Sequence, residues 1–399
     1  MNETFAPTRT AALEKLARFV PHAGAEYAKL RNYDLGAGRH QHVSTLSPYL
    51  RHRLITETEV LEAVLARHSL RAAEKFVQEV FWRTYWKGWL EMRPGVWLNY
   101  LAERSSAWNT VQTQSGLRNR WEEACTGRTG IDAFDSWARE LVETGYLHNH
   151  ARMWFASIWI FTLRLPWALG ADFFLRHLLD GDAASNTLSW RWVAGLQTKG
   201  KTYLARHANI SKYTDGRFDP QGLAQDAVPL RGADHPPRQP LAIPNTIDPG
   251  KRTGLLITPE DLSPGIVARA VRVPSAVAII SHRTEMSHLE MSDRVLNWER
   301  QAMQDVAARW QDQLGEIEWV SSLDAWVKSH ALEQVVTAET PVGVEAQALD
   351  RLTSQTGIRV VRIRRPYDSA AWPHATHGFF RFKEKIPALI GGLKGLKAA

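Results

Sequence analysis

The chain has 399 residues, 44% of them hydrophobic, and carries 49 Lys and Arg against 42 Asp and Glu, a formal charge of +7. Its single cysteine, Cys125, excludes an internal disulfide and a cysteine-ligated iron–sulfur cluster, which need more thiols, and is expected simply to pack. No apolar run approaches the roughly 20 residues of a membrane helix, and Met1-Asn2-Glu3-Thr4 lacks the basic and apolar regions of a signal peptide, so a cytoplasmic protein without a membrane partner is expected. The positive charge favours a polyanionic partner through counterion release, but by itself it is equally a solubility and steering device.

From about residue 9 to 205, apolar residues recur at intervals of three and four, with breaks at Arg93-Pro94-Gly95 and Gly127-Arg128-Thr129-Gly130, which predicts an all-helical region. It holds 12 of the 17 tryptophans, an excess that suits stacking or electron traffic as well as core filling. On one predicted helix, Phe76, Glu79, Trp82, Arg83 and Trp86 share a face, placing an acid and an arginine beside indoles. The plain alternative is an intrahelical Glu79–Arg83 pair. Gly145 can cap the helix that precedes Asn149, Arg152 and Met153, three residues that again share one face. Asp180 and Asp182 flank Gly181 and can begin a helix running through Asn186 and Trp190, where carboxylates are natural caps. A metal reading of the two aspartates is poorer, since no third ligand lies at suitable spacing.

Residues 214–252 collect Pro236-Pro237, Pro240, Pro244 and Pro249-Gly250, the composition of a linker or extended strap. Beyond Arg252, apolar runs at 255–257, 276–280, 317–320, 334–337 and 358–363 alternate with helical patterns at 292–314, 322–332 and 343–356. That alternation predicts a smaller doubly wound parallel-sheet domain. No G-x-G-x-x-G follows these strands, so no dinucleotide fingerprint is present. The expected organisation is therefore α plus α/β: a helical domain over 1–213, a strap over 214–252 and an α/β domain over 253–399.

The segments Phe76–Arg83, Tyr146–Met153 and Asp180–Trp192 match, in letters, order and separation, the flavin-binding helical domain of the photolyase/cryptochrome family, which roughly residues 20–220 resemble. In that family a tyrosine precedes an Arg-Asn or Arg-Asp pair, and a T-S-x-L-S-P-Y-L stretch wraps the FAD diphosphate. Here Tyr27 precedes Arg31-Asn32, and Val43-Ser44-Thr45-Leu46-Ser47-Pro48-Tyr49-Leu50 keeps both serines but replaces the leading threonine. The resemblance implies an FAD cofactor contacted by Tyr27, Ser44, Thr45, Leu46, Ser47, Phe76, Arg83, Asn149, Arg152, Asp180, Asp182 and Asn186.

It further implies repair of ultraviolet-damaged DNA. The family's five residues around a flipped pyrimidine dimer fall on Glu79, Asn149, Trp82, Trp192 and Met153, and light-excited reduced flavin lends the dimer an electron that splits it. Trp190 and Trp167 match the first two members of the family's electron relay; Val111 stands at the third, where either Trp108, one turn earlier, substitutes or the relay is broken or leaves by another route. Thr162 replaces a common aspartate said to pair with the arginine matching Arg152, and His150 replaces an arginine that contacts DNA. A cryptochrome-like blue-light receptor, binding FAD but signalling without repair, is the rival expectation, and a flavin-binding relic without either activity is a third. The segment Tyr367–Pro373 through Gly378–Phe382 looks like the end of the family's α/β antenna domain, which implies that this domain follows the flavin domain in permuted order. The sequence names no antenna chromophore.

Overall fold

The computed structural model describes residues 5–393. Helices run from Arg9–Phe19 to His207–Tyr213, and Leu70–Glu91 gives way to Gly95–Thr113 across the expected Arg93-Pro94 break. Local signals set the ends. Thr56 and Glu59 form a reciprocal capping box at Glu57–Leu65, and the Ser69 hydroxyl accepts from Ala72 N at the start of Leu70–Glu91. Gly145, with φ 73°, terminates Asp132–Thr144 in the left-handed conformation that glycine tolerates best. Regular α-helix is interrupted at Ile158–Thr162, a single π-helical turn.

Most tryptophans are ordinary core. Trp97, Trp137, Trp154 and Trp159 are essentially inaccessible. The N–H groups of the last three are satisfied by Asp34, Asn209 and the Pro166 carbonyl at 2.9–3.0 Å.

The helix Leu70–Glu91 is buried on most of its circumference, the pattern of an element enclosed on several sides. One face, with Phe76, Glu79, Trp82, Arg83 and Trp86, lines a cavity in the helical domain. The other meets the second domain: Phe81 packs on Tyr367 at 5.6 Å, and the Thr84 and Tyr367 hydroxyls hydrogen-bond at 2.9 Å. Gly88 permits the closest approach, since a Cβ there would lie 2.9 Å from the Trp372 backbone. Gly88→Ala is expected to cost about 1–3 kcal/mol of stability by overpacking, read as a lower denaturant midpoint with an unchanged slope.

Among the described residues, no helix or strand interrupts 215–252. The segment is a strap whose backbone bonds to the helical domain at Ala194 and Met92, while Arg364 and Arg359 of the second domain hold its carbonyls at Ala242 and Thr246.

The second domain is an all-parallel five-stranded sheet in the order β3-β2-β1-β4-β5. The strands are β1 Thr253–Ile257, β2 Ala276–Ile279, β3 Glu318–Trp319, β4 Gln334–Ala338 and β5 Arg359–Ile363. Helices Asp293–Leu314, Leu323–Ser329 and Val344–Thr356 fall where the sequence pattern placed them. The short β3 lies at the sheet edge, where Trp319 remains half exposed. Leu255 of the central β1 pairs with Val277 on one side and Val336 on the other, and all three are buried, as a doubly covered parallel sheet requires.

The carboxyl ends of these strands face the helical domain. Arg53 reaches from that domain into the crevice at the strand ends, held by Asp368 at 2.7 Å, Asp261 at 3.5 Å and its own Glu57 at 3.2 Å. All four side chains are almost fully buried. No helix among the described residues is long and apolar enough to cross a membrane.

Candidate functional site

A cavity of about 510 Å³ opens among the helices Ala25–Leu30, Ser47–Arg51, Leu70–Glu91, Asn149–Ser157 and Ala183–Val193. Four stretches far apart in the chain converge on it. Tyr27, Ser44, Thr45, Leu46, Ser47 and Phe76 line it together with Arg83, Arg152, Asp180 and Asn186, and with Glu79, Trp82, Asn149, Met153 and Trp192. Asp182 lies directly behind, bonded to Arg83.

At the centre, two arginines meet two carboxylates. Arg152 donates to both oxygens of Asp180 at 3.0 Å each, the bidentate geometry of a strong ion pair. Arg83 pairs with Asp182, and its guanidinium also lies 3.8 Å from Asp180. Asp182 caps the helix Ala183–Val193, accepting from Ser185 N at 2.7 Å. Burial alone would raise both carboxyls, but Arg152 and Arg83 outweigh it at Asp180, and Arg83, Lys87 and Arg51 do so at Asp182, so both stay below the usual range. The intrahelical Glu79–Arg83 pair that local spacing allows does not form: Arg83 goes to Asp182, and Glu79 pairs with Arg31. Burial pushes the Glu79 carboxyl up, and the Arg31 charge only partly opposes it.

The hydroxyl stretch 44–47 begins the helix Ser47–Arg51. Thr45 adopts φ 50°, a rare conformation for a β-branched residue, and accepts from Lys15 Nζ at 2.9 Å. Lys15 thus brings a cation beside this stretch that its place on an unremarkable surface helix did not signal. The Asn186 side-chain amide donates to Ala171 O at 2.8 Å, leaving its oxygen for the cavity. Ser185 Oγ and Trp190 Nε1, on residues that line the cavity, are buried and have no protein partner.

Two aromatic walls flank the opening. Phe379, from the second domain, stacks on Trp82 with ring centroids 3.6 Å apart and planes within 11°. Trp192 stacks on Tyr203 at 5.8 Å. Sequence reasoning missed Phe379, because nothing local ties it to Trp82. Trp190 is packed against Trp159, Phe155 and Phe174, and Gly170 makes room for it: a Cβ there would sit 2.3 Å from the indole. Trp167 lies under the Arg191 guanidinium and beside Tyr100, with its N–H on Glu103 at 2.8 Å. Trp108 contacts Trp121 and His288 instead. Thr162 accepts from Ala224 N at 3.1 Å, while Arg152 finds its carboxylate at Asp180. His150 turns inward, stacking on Trp154 at 4.0 Å with Nδ1 3.0 Å from Asn32 O, and burial lowers its pKa.

A half-open cavity lined by serine and threonine hydroxyls, by Asp180 between two arginines and by the indoles of Trp82, Trp190 and Trp192 suits a flavin nucleotide, the ligand of a flavoprotein. Residues 76–225 match the family model described as the FAD binding domain of DNA photolyase. The chain is 33% identical over 199 residues to the deoxyribodipyrimidine photo-lyase of Synechococcus, covering 47% of this chain and 39% of that protein. It is 33% identical over 229 residues to the Thermus thermophilus protein of the same name, covering 54% and 49%. A class III photolyase from Agrobacterium tumefaciens superposes over 52% of this chain and 43% of that one, at 26% identity and a TM-score of 0.44. The chain spans less than half the length of these relatives. Residues 76–225, within its helical half, are therefore similar to the FAD-binding domain of DNA photolyases.

The residues fit that cofactor. Ser44, Thr45 and Ser47 would hold the diphosphate, and Arg83, Arg152, Asp180 and Asn186 the flavin, with Asp182 behind them on Arg83 and outside the cavity lining. The partnerless Ser185 and Trp190 groups gain a bonding opportunity that the protein alone does not give them.

Proposed function

We propose that this protein splits cyclobutane pyrimidine dimers in ultraviolet-damaged DNA under light. The observation that carries the reading is the convergence of Glu79, Asn149, Trp82, Met153 and Trp192 on the rim of one cavity whose interior suits FAD. Reduced FAD, when bound, supplies under light the electron that opens the cyclobutane ring and to which that electron returns, so the reaction has no net oxidant or reductant.

The protein's part is recognition. Trp82 and Trp192 offer apolar walls for an extruded lesion, and Phe379 and Tyr203 hold those walls rigid from behind. Asn149 and Glu79 satisfy the polar edges of the bases. The Glu79 carboxyl, raised by burial and paired with Arg31, keeps a proton to a higher pH than an ordinary glutamate, and the protonated form can donate to a base carbonyl. Arg83 and Arg152 balance the Asp180 and Asp182 charges, so the cavity stays receptive to an electron-rich ring. Trp190, continued through Trp167, is the proposed route by which FAD is reduced, with Trp108 as the outer member. The parallel-sheet domain is read as the antenna domain of the family, placed after the flavin domain.

A blue-light receptor that binds FAD without repair remains the second reading, favoured by the inward-turned His150, which removes a cation from the rim. Illumination of the reduced protein with dimer-containing single-stranded DNA separates the two. Recovery of pyrimidine absorbance is the expected result; flavin photoreduction without recovery would establish the receptor instead.

A further inference from the structure

The turn Leu178–Asp182, which joins the helices Trp167–His177 and Ala183–Val193, is pinned through its carbonyl oxygens. Gly181 O accepts from Arg51 Nε at 3.1 Å and from Arg283 Nη1 at 2.7 Å. The other Arg283 nitrogen, Nη2, reaches Leu178 O at 3.3 Å and Leu175 O at 3.2 Å, and His52 Nε2 lies 3.2 Å from Leu179 O. Arg51, His52 and Arg283 are 1–2% exposed. Position 181 is tight, since a Cβ there would lie 3.2 Å from Arg283 Nη2 and would press on that guanidinium.

Arg283 belongs to the other domain. It lies on the turn Arg283–Met286 after β2, with its N–H on the Ser281 hydroxyl at 3.1 Å, and that hydroxyl donates to Glu299. Glu299 and Glu260 carry the compensating charge, Glu260 pairing with Arg51 at 2.6 Å. One guanidinium from the sheet domain therefore closes three main-chain acceptors on the far side of the domain boundary. A planar fork can do this; a point charge cannot.

The turn so held carries Asp180, which lines the cavity, and Asp182, which lies behind it and holds Arg83 in place. We propose that Arg283 is a positioning residue for the flavin: through it, the parallel-sheet domain fixes the Asp180–Gly181–Asp182 turn and sets both the retention and the reduction potential of bound FAD. The proposal rests on the reading that Asp180 and the Arg83 held by Asp182 face FAD. Without Arg283, Leu175 O loses its donor, Leu178 O keeps only Gly181 N and Gly181 O only Arg51 Nε, so the turn relaxes and loosens the carboxylate–arginine square. A buried positive charge behind the site also disappears, which disfavours the more negative, reduced form of the cofactor.

The test uses the full chain reconstituted with FAD, measuring the FAD dissociation rate and the midpoint potential by spectroelectrochemistry. Arg283→Ala is expected to release FAD at least tenfold faster and to shift the potential negative, with Arg283→Lys between it and wild type. Tyr367→Phe, which removes only the Thr84 hydrogen bond in the same domain contact, is expected to lower the thermal midpoint and leave both flavin readouts unchanged. The proposal is overturned if the Arg283 variants lose thermal stability as Tyr367→Phe does yet keep the wild-type dissociation rate and potential. Should Arg283→Ala fail to fold, Arg283→Lys decides by the same criteria. A wild-type protein that takes up no FAD overturns the cofactor reading and this one together, before any variant is made.

Discussion

Asp182→Ala is expected to leave the purification column colourless. Asp182 is the partner of Arg83 and the cap of the helix Ala183–Val193. Removing one member of a buried pair leaves the other charge uncompensated, at a cost of roughly 3–5 kcal/mol, and a lost cap adds about 1 kcal/mol. Asp182→Asn separates the two contributions, because asparagine caps nearly as well but carries no charge: its folding midpoint should recover part of the loss while its flavin content stays low. An asparagine variant with full flavin occupancy would contradict the electrostatic role. The pH dependence has a definite sign. Both Asp180 and Asp182 titrate below the ordinary carboxylate range in the folded protein. Their contribution is therefore present above about pH 4, the unfolded value, and is lost as pH falls through the lower folded values. Flavin release on acidification should begin only below about pH 4, followed as the rise of free-flavin fluorescence.

Glu79→Gln is expected to lower the yield of dimer splitting about tenfold, as the carboxylic acid's hydrogen bond to the lesion is replaced by a weaker amide one, with FAD content unchanged. Glutamine keeps the shape and a donor but cannot gain or lose a proton, and it leaves Arg31 without its carboxylate. Glu79 is raised by burial, so what its neutral form contributes is complete below the unfolded value and fades as pH rises through the folded one. Repair by the wild type should decline as pH rises through the raised folded value of Glu79, and repair by the variant should stay flat. Parallel profiles for the two proteins would remove Glu79 from the reaction while leaving the flavin site intact. Repair is read as recovered pyrimidine absorbance per absorbed photon.

Much of this architecture was legible in the sequence because it is written in local periods. The alternation of short β-branched runs with amphipathic segments between 253 and 363 fixes strands and helices nearly to their ends, and the Gly145 cap and Asp182 N-cap follow from residue type alone. The cavity-lining residues were legible because three-and-four spacing places Phe76, Glu79 and Arg83 on one side of a helix. Their partners were not. Spacing offers Arg83 a neighbour at Glu79, an interaction of a few tenths of a kcal/mol on a solvated surface. The folded chain offers it Asp182, 99 residues away and buried, where Coulomb attraction is far less screened. Arg31 reaching Glu79, Phe379 covering Trp82 and Arg53 filling the end of the sheet are decided by how two domains meet, which no period encodes.

That meeting also governs the order in which the molecule can mature. The Arg53–Asp368 pair closes a loop of 315 residues, and the Tyr85 hydroxyl joins His377 O across 292. Contacts so distant along the chain are entropically the slowest to close, and domains of this size fold first as separate units. The helical half gains its secondary structure early but lacks Phe379 on its tryptophan and Arg283 on its turn until docking is done. Competence to capture the cofactor is thus a late event on the folding pathway, gated by assembly of the two halves and not by formation of the helices that line the pocket.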